Sequence, residues 1–450
     1  MAMMGGNLSR WTISYFAVAI AWLLAAEVLM VVGFGAPSAD VASPDTLVLV
    51  HVVCIGWLSM ALCGALFQFV PVLIAKPLFS ERWTLPALLL LNAGLMALLA
   101  GFLALGGRIP WSVSLLPVGA IVLVAGFAAV SINLGLTLWR ARPLPAPARF
   151  VAVGVACVCA TAAIGTVFAL ARSGRIAEPL GADALASGVS IHAIAGLGGW
   201  LTLTAMGVSY RLLAMFMLAP DADARKIRAT LLAGAGTMAI AIAGGVFAVV
   251  AEGGIDAVLA LAAVAGLMTL GLYGRDVIAL FRGRKRRSLE LNIRMTVLSL
   301  VSLAAVVLLG GLLAATGSFV RHIGAFAFLV AFGWLSGLIL AKLYKIVAFL
   351  TWLEVYGPVM GRTATPRVQD LVVERRASKW FFIYFLAVWA ATAMLLVDAT
   401  LAFRTAALAM TIATAGIVHE LARARRLLDV AGALRLPAGA IAPRLMSSRT

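Results

Sequence analysis

The chain has 450 residues, of which 63% are hydrophobic and 12% are charged. Soluble domains average about 45–50% apolar and about 25% charged residues, and a helix needs roughly 20 consecutive apolar residues to cross a bilayer. Such runs recur along the whole chain with only short polar breaks, so the composition excludes a soluble protein. It predicts an all-α, polytopic membrane protein that contacts lipid, and the net charge of +17 does not indicate nucleic-acid binding.

Hydropathy and turn residues predict twelve membrane-spanning helices with short connections. The predicted helices lie near residues 11–34, 46–74, 84–106, 112–139, 148–171, 187–217, 228–251, 254–281, 293–316, 320–350, 379–398 and 401–424. The first apolar run is longer than the core of a signal peptide, and we expect it to be retained as helix 1.

The distribution of Lys and Arg predicts the orientation of these helices, because cytoplasmic loops retain basic residues. With twelve spans, one side of the membrane holds only Arg108, Arg172, Arg175, Arg321 and Arg404, and the other 30 of the 35 basic residues fall on the opposite side. This sorting predicts that both termini are cytoplasmic. We expect most of the basic residues to act as topology signals and contacts for anionic lipid.

A repeated pattern on helices 2, 6 and 10 divides the chain into three parts. Gly56-Trp57-Leu58-Ser59 is matched by Gly199-Trp200-Leu201-Thr202 and Gly333-Trp334-Leu335-Ser336. The agreement continues after each Trp with a small residue, an aromatic residue and a polar residue, namely Gly64, Gly207 and Ala341; Phe67, Tyr210 and Tyr344; Gln68, Arg211 and Lys345. The pattern predicts a pseudo-threefold arrangement of four-helix units.

The predicted organisation is a single transmembrane domain over residues 1–450, with internal repeats near 11–139, 148–281 and 293–424. A basic cytoplasmic tail follows over 425–450, and a long cytoplasmic loop is predicted over 351–378, whose role the sequence leaves open. Small residues after each Trp would let neighbouring helices approach closely. The aromatic and polar residues that follow are placed to reach the lipid headgroups.

Three of the four histidines lie on the matching helices, in the half predicted to face outward. These are His51, His192 and His322, and a histidine inside a membrane span is a candidate functional residue. Neutral imidazole binds haem iron, copper or zinc. The residues alone leave open a haem between two imidazoles or a copper or zinc site of three.

The spacing of these histidines from the repeated Trp favours a large cofactor over a compact three-histidine site. They precede the Trp by 6, 8 and 12 residues, so at about 1.5 Å per residue His192 lies about 3 Å, and His322 about 9 Å, further out than His51. Glu27 lies deep in helix 1 at a similar predicted depth. A carboxylate there is either protonated, paired with a histidine or hydrated, which makes Glu27 a candidate proton relay or a partner of the cofactor ligands.

Two segments carry a resemblance to known families. His51 to Pro77, with Gly64-Ala65-Leu66-Phe67-Gln68-Phe69-Val70-Pro71, and Gly333 to Trp352 resemble helices 2 and 10 of divergent haem–copper oxidase subunit I proteins. The chain is also similar to the NnrS family, membrane proteins with haem and copper that are linked to nitric oxide tolerance. The resemblance implies His51 and His322 as haem ligands and His192 as a copper ligand.

The chain departs from the oxidase pattern at the copper site. His192 is followed by Ala193-Ile194-Ala195-Gly196 instead of Pro-Glu-Val-Tyr, helix 7 has no histidine, and helix 10 has one histidine instead of two. These departures argue against an oxygen reductase, and whether the chain is an enzyme stays open.

The leading hypothesis is a protein of the bacterial inner membrane that binds one haem b through His51 and a second histidine, in electron transfer or in the response to nitric oxide or another small gas. The resemblance favours His322 as the second ligand, and the spacing favours His192. One alternative is copper or other metal transport using the histidines with Met60, Met206 and Met215. Another is a cofactor-free assembly subunit that binds a respiratory or cytochrome partner.

Overall fold

The computed structural model describes residues 11–37, 40–178, 180–251, 253–444 and 446. Within them, twelve helices are long and apolar enough to cross a membrane, so the chain is an all-α, multi-pass membrane protein. We label these helices α1–α12. Their bounds are Thr12–Val32, Pro44–Ile74, Glu81–Leu105, Leu115–Trp139, Ala146–Arg172, Ala184–Met217, Ala224–Val250, Ile255–Arg282, Leu291–Ala315, Ile323–Val359, Glu374–Leu396 and Thr400–Arg425.

The helical state follows from the solvent that these segments meet. Lipid offers no partner for a backbone N–H or C=O, so a spanning segment satisfies its own backbone groups as a helix. Each helix has at least 21 residues, which meets the roughly 20 residues that a bilayer requires. Every helix predicted from the sequence is present, and nearly all of the predicted ends lie within a few residues of those observed.

The chain divides into two compact units. Unit 1 comprises residues 1–65 and 289–450, and unit 2 comprises residues 66–288. Unit 1 therefore contains α1, most of α2 and α9–α12, whereas unit 2 contains the end of α2 and α3–α8. The orientation of the termini and the threefold arrangement of four-helix units stay predictions.

The predicted loop over 351–378 is wrong at both ends. Helix α10 continues to Val359 and α11 begins at Glu374, so only residues 360–373 connect them. The sequence reading ended α10 early because Glu354 interrupts the apolar run. In the structure the carboxylate of Glu354 is buried against the guanidinium of Arg425 at 2.5 Å, with both side chains 4% exposed. The charge is thus neutralised inside unit 1, and the helix continues through it.

The predicted tail packs against the α10–α11 connection. Residues 351–373 and 426–444 form what we call the C-terminal cap. Its apolar core consists of Val355, Tyr356, Leu371, Leu427 and Val430, packed with Ala348 of α10. The hydroxyl of Tyr356 donates to the carbonyl of Arg435 at 2.7 Å, and the indole of Trp352 donates to the carbonyl of Pro366 at 2.6 Å. The tail is therefore a folded part of unit 1 as far as it is described; residues 445 and 447–450 lie outside the described residues.

Candidate functional site

All three Gly-Trp segments adopt the same unusual backbone. The wider π-helical form extends over Val52–Ser59, Ile194–Leu203 and Leu329–Ser336. Segments of π-helix are rare and occur frequently at functional sites. The three Trp side chains within them are at most 1% exposed. The sequence repeat therefore coincides with a repeated local structure, which marks these three segments as the candidate functional region.

The Ser at the end of the repeated pattern satisfies the π-helical backbone. The hydroxyl of Ser59 donates to the carbonyl of Cys54, and the hydroxyl of Ser336 donates to the carbonyl of Ala331, both at 2.7 Å. Each acceptor lies five residues earlier in the chain. In unit 1 the indole N–H of Trp57 also donates to the hydroxyl of Ser336 at 2.7 Å. This bond ties α2 to α10, and the sequence pattern did not reveal it.

At two of the three positions, Gly64 and Gly207, the small residue after the Trp is a close contact point, as predicted. In unit 1 a Cβ at Gly64 would lie 2.6 Å from the Cβ of Tyr15 on α1. In unit 2 a Cβ at Gly207 would collide with the Cβ of Phe150 on α5. In these two cases, α1 on α2 and α5 on α6, the helices pack at a glycine in the same position after the Trp, because no larger side chain fits there.

His51 stands at the start of the first π-helical segment. Its Nδ1 lies 2.7 Å from the carbonyl oxygen of Leu47. A carbonyl can only accept, so Nδ1 carries the proton and the lone pair is on Nε2, which is the usual arrangement of a histidine that binds a metal. Leu47, His51, Cys54 and Ile55 are all half-buried and lie on one face of α2. These features fit His51 as an axial haem ligand.

His192 occupies a similar place in unit 2, two residues before the second π-helical segment. Its ring is half-buried and contacts Phe168 of α5, with ring centroids 5.5 Å apart. A Cβ at Gly165, also on α5, would lie 3.0 Å from the ring. The imidazole is therefore held between α5 and α6.

His322 differs from the other two, because it precedes α10 as its N-cap residue. Its Nδ1 lies 3.1 Å from the carbonyl oxygen of Ser318, which favours the same tautomer as at His51. The Trp57–Ser336 bond sets the register of α2 and α10. At about 1.5 Å per residue, His51 lies about 9 Å and His322 about 21 Å along the helix axis from that bond. To bind the same iron, the side chains of His51 and His322 would have to span this offset of about 12 Å. The register of α2 and α10 therefore favours His51 as a ligand without His322.

The structure adds no support to the predicted copper site. Among the residues that the structure describes, no three or more His, Cys, Asp or Glu side chains form a group that could hold a metal ion. Met60 and Met206 are at most 1% exposed in the helix packing, whereas Met215 is 47% exposed. Copper handling stays a prediction.

Glu27 is fully buried in unit 1. Its Oε1 accepts a hydrogen bond from the hydroxyl of Thr414 on α12 at 2.7 Å, and Oε2 has no hydrogen-bond partner. The hydroxyl of Tyr384 has Glu27 and Ser336 as polar neighbours and donates to the carbonyl of Phe332 at 3.0 Å. Glu27 therefore interacts electrostatically with Tyr384, whose hydroxyl is bonded to the third π-helical segment. One hydroxyl is weak compensation for a buried anion, so the neutral acid suits this site better.

The aromatic residues after each Trp are buried, so the prediction that they reach toward the headgroups is wrong. The rings of Phe67, Tyr210 and Tyr344 are at most 3% exposed. Lys345 pairs with Glu290 at 2.8 Å, and Arg211 pairs with Asp221 at 3.0 Å. The apolar packing of each ring outweighs the attraction of the headgroup region, whereas the reach of the exposed Arg211 toward headgroups stays a prediction.

A buried carboxylate in unit 2 was missed by the sequence reading. Asp276 on α8 is 2% exposed, and its Oδ2 accepts hydrogen bonds from Tyr210 at 2.9 Å and Thr230 at 3.1 Å. Its Oδ1 accepts two from Arg275, at 3.0 and 2.8 Å. In the sequence, the adjacent residues Arg275 and Asp276 near a helix end resemble an ordinary surface ion pair. The burial of Asp276 was therefore not predicted.

No model of a known protein family matches this chain, and no curated protein matches it either.

Proposed function

We propose that this chain is a haem-binding protein of the bacterial inner membrane, in which His51 would hold the iron of one b-type haem. Its role would be the response to nitric oxide or another small gas, or electron transfer. The observation that carries the proposal is the bond from His51 Nδ1 to the Leu47 carbonyl, on a half-open helix face at the start of a π-helical segment. The resemblance to oxidase subunit I and NnrS proteins supports it.

A haem bound here would supply an iron that can exchange electrons or bind diatomic gases. The residues of the chain do the rest. Leu47 orients the imidazole of His51 by accepting from Nδ1. The Trp57–Ser336 bond holds α2 against α10, so that the face carrying His51 keeps its position. We do not propose oxygen reduction, because the residues after His192 differ from the oxidase pattern and helix 7 has no histidine.

Glu27 has a proposed part in the same site as a holder of one proton. The neutral acid keeps that proton at Oε2, while Oε1 stays bonded to Thr414. This role rests on the burial of Glu27 and is tested separately from haem binding.

The test is an absorption spectrum of the protein purified from haem-replete cells, oxidised and reduced. We expect a Soret band in the wild type that is lost or strongly reduced in His51→Ala. His419→Ala is the matched control, because His419 is exposed at the end of α12, and we expect it to keep the band. A colourless wild-type protein, or a His51→Ala variant with an unchanged spectrum, would refute the proposal.

A further inference from the structure

An exposed face of α8 in unit 2 carries an open surface depression, which we call the groove. It is an open groove of about 700 Å³ lined by Gly271, Arg275, Ile278, Ala279 and Arg282. These positions share one helix face, since residues four, seven, eight and eleven apart lie above one another. Only 11% of the most apolar stretch of α8 is buried, so this face is open to the membrane.

Arg275 is fixed in this groove by a buried anchor. Its Nε and Nη2 both bond to Oδ1 of Asp276, and Tyr210 and Thr230 hold the other oxygen of that carboxylate. The side chain of Asp276 is 1% exposed, whereas that of Arg275 is 46% exposed. The guanidinium is therefore oriented by unit 2 while remaining accessible from the groove. An arginine inside a span is costly unless it finds such partners.

The charge of the groove and its position near the basic end of α8 match an anionic headgroup. Arg282 ends α8 seven residues after Arg275, which is about 10 Å along the axis. The flexible side chain of Arg282 can reach across that distance toward a phosphate held by the fixed guanidinium of Arg275. The cluster Arg284, Lys285, Arg286 and Arg287 follows directly, and this end of α8 is predicted to face the cytoplasm, where anionic lipids attract basic segments.

The apolar part of the groove matches an acyl chain. Ile278 is 53% exposed, and a Cβ at Gly271 would have no protein atom within 4 Å, so the space above Gly271 is open. Gly271 lies further from the basic end of α8 than either arginine does. A lipid whose phosphate lies between the arginines would thus have its acyl chain along Ile278 and Gly271.

We propose that this groove is a binding site for one anionic phospholipid, with the phosphate held by Arg275 and Arg282. The site does not depend on haem. It differs from general attraction to the membrane surface because Asp276 presets one of the two guanidinium groups.

The test is native mass spectrometry of the detergent-purified protein titrated with phosphatidylglycerol or phosphatidylcholine. We expect the wild type to bind one phosphatidylglycerol in preference to phosphatidylcholine. Arg275→Gln/Arg282→Gln should weaken that binding about thirty-fold, at about a fivefold loss for each basic residue. Arg225→Gln/Arg228→Gln removes the same charge from the exposed start of α7 and should leave the binding unchanged.

Two single variants keep the test decisive if loss of Arg275 perturbs folding. Arg282→Gln leaves the Asp276 anchor intact and should weaken binding about fivefold. Gly271→Leu keeps both arginines and should weaken binding by filling the open space of the groove. Equal binding of both lipids, or equal losses in the groove and control variants, would overturn the proposal. So would a groove variant that alters only the oligomeric state, because the groove would then be a protein interface.

Discussion

At the scale of the residue, the bond between Trp57 and Ser336 is the most informative contact of unit 1. Ser336 accepts from the indole and donates to the Ala331 carbonyl, so one hydroxyl serves both the helix contact and the π-helical backbone. Ser336→Ala should lower the free energy of unfolding by about 1–3 kcal/mol, because it leaves the buried indole N–H of Trp57 without its acceptor.

Ser299→Ala is the matched control for that variant. Ser299 is also fully buried, but its hydroxyl donates only to the carbonyl of Met295 in its own helix, at 3.1 Å. Thermal unfolding in detergent measures both variants. Equal losses of stability for the two variants would show that the contact between α2 and α10 has no special weight.

Glu27 and Thr414 permit a test of the buried carboxyl group. Thr414→Val keeps the shape of the side chain and removes the donor to Oε1, so we expect a loss of about 1–3 kcal/mol in the free energy of unfolding. In a Glu27→Leu background the same change should have almost no effect, which a double-mutant cycle measures. An equal loss in both backgrounds would mean that Thr414 acts through packing alone.

At the scale of the element, the register of α2 and α10 separates two views of the haem ligands. The resemblance to oxidases implies the pair His51 and His322, whereas the register places them about 12 Å apart along the helix axis. We therefore expect His322→Ala to keep the Soret band that His51→Ala loses. Loss of the band in both variants, with unchanged thermal unfolding, would establish the pair and contradict this reading of the register.

The C-terminal cap is an element whose stability should depend on pH. Asp429 is bonded to Arg423 at 2.7 Å and to Arg376 at 2.6 Å. Burial works against its charged form, but the hydrogen bonds from Arg423 and Arg376 outweigh burial and lower the pKa of Asp429. A lowered pKa contributes stability that is complete above the ordinary aspartate value of about 3.9 and is lost as the pH falls through the folded value.

We therefore expect limited proteolysis of the cap to accelerate as the pH falls below about 4. Asp429→Asn lacks the titrating group, so it should be cleaved faster than the wild type at neutral pH and should show a smaller acceleration in acid. A protease active across the whole range is needed for the comparison. An Asp429→Asn variant with the wild-type pH profile would show that this carboxylate does not hold the cap.

At the scale of the whole molecule, the sequence predicted what depends on composition. The twelve helices follow from apolar length, because lipid forces each such run to become a helix. The repeated Trp and small residues correctly marked close helix contacts at Gly64 and Gly207. Hydropathy could not predict the end of α10, since the compensation of Glu354 by Arg425 requires two segments far apart in the chain.

The candidate site was predictable in part. His51, His192 and Glu27 stood out because polar residues are rare inside spans. The π-helical segments did not, because their widened backbone depends on bonds such as those of Ser59 and Ser336 that no periodicity encodes. The position of His322 relative to His51 was likewise not predictable, because it depends on the contact between α2 and α10.

Chemical rescue of His51→Gly tests the central proposal most directly. This variant removes the imidazole and leaves space that free imidazole can fill, so the measurement separates iron ligation from a structural role of His51. We predict that the variant, purified with wild-type thermal stability, loses the Soret band of the wild type and regains it when haem and imidazole are added together. A variant that keeps the wild-type spectrum without imidazole, or that folds normally and never regains it, would contradict His51 as the haem ligand.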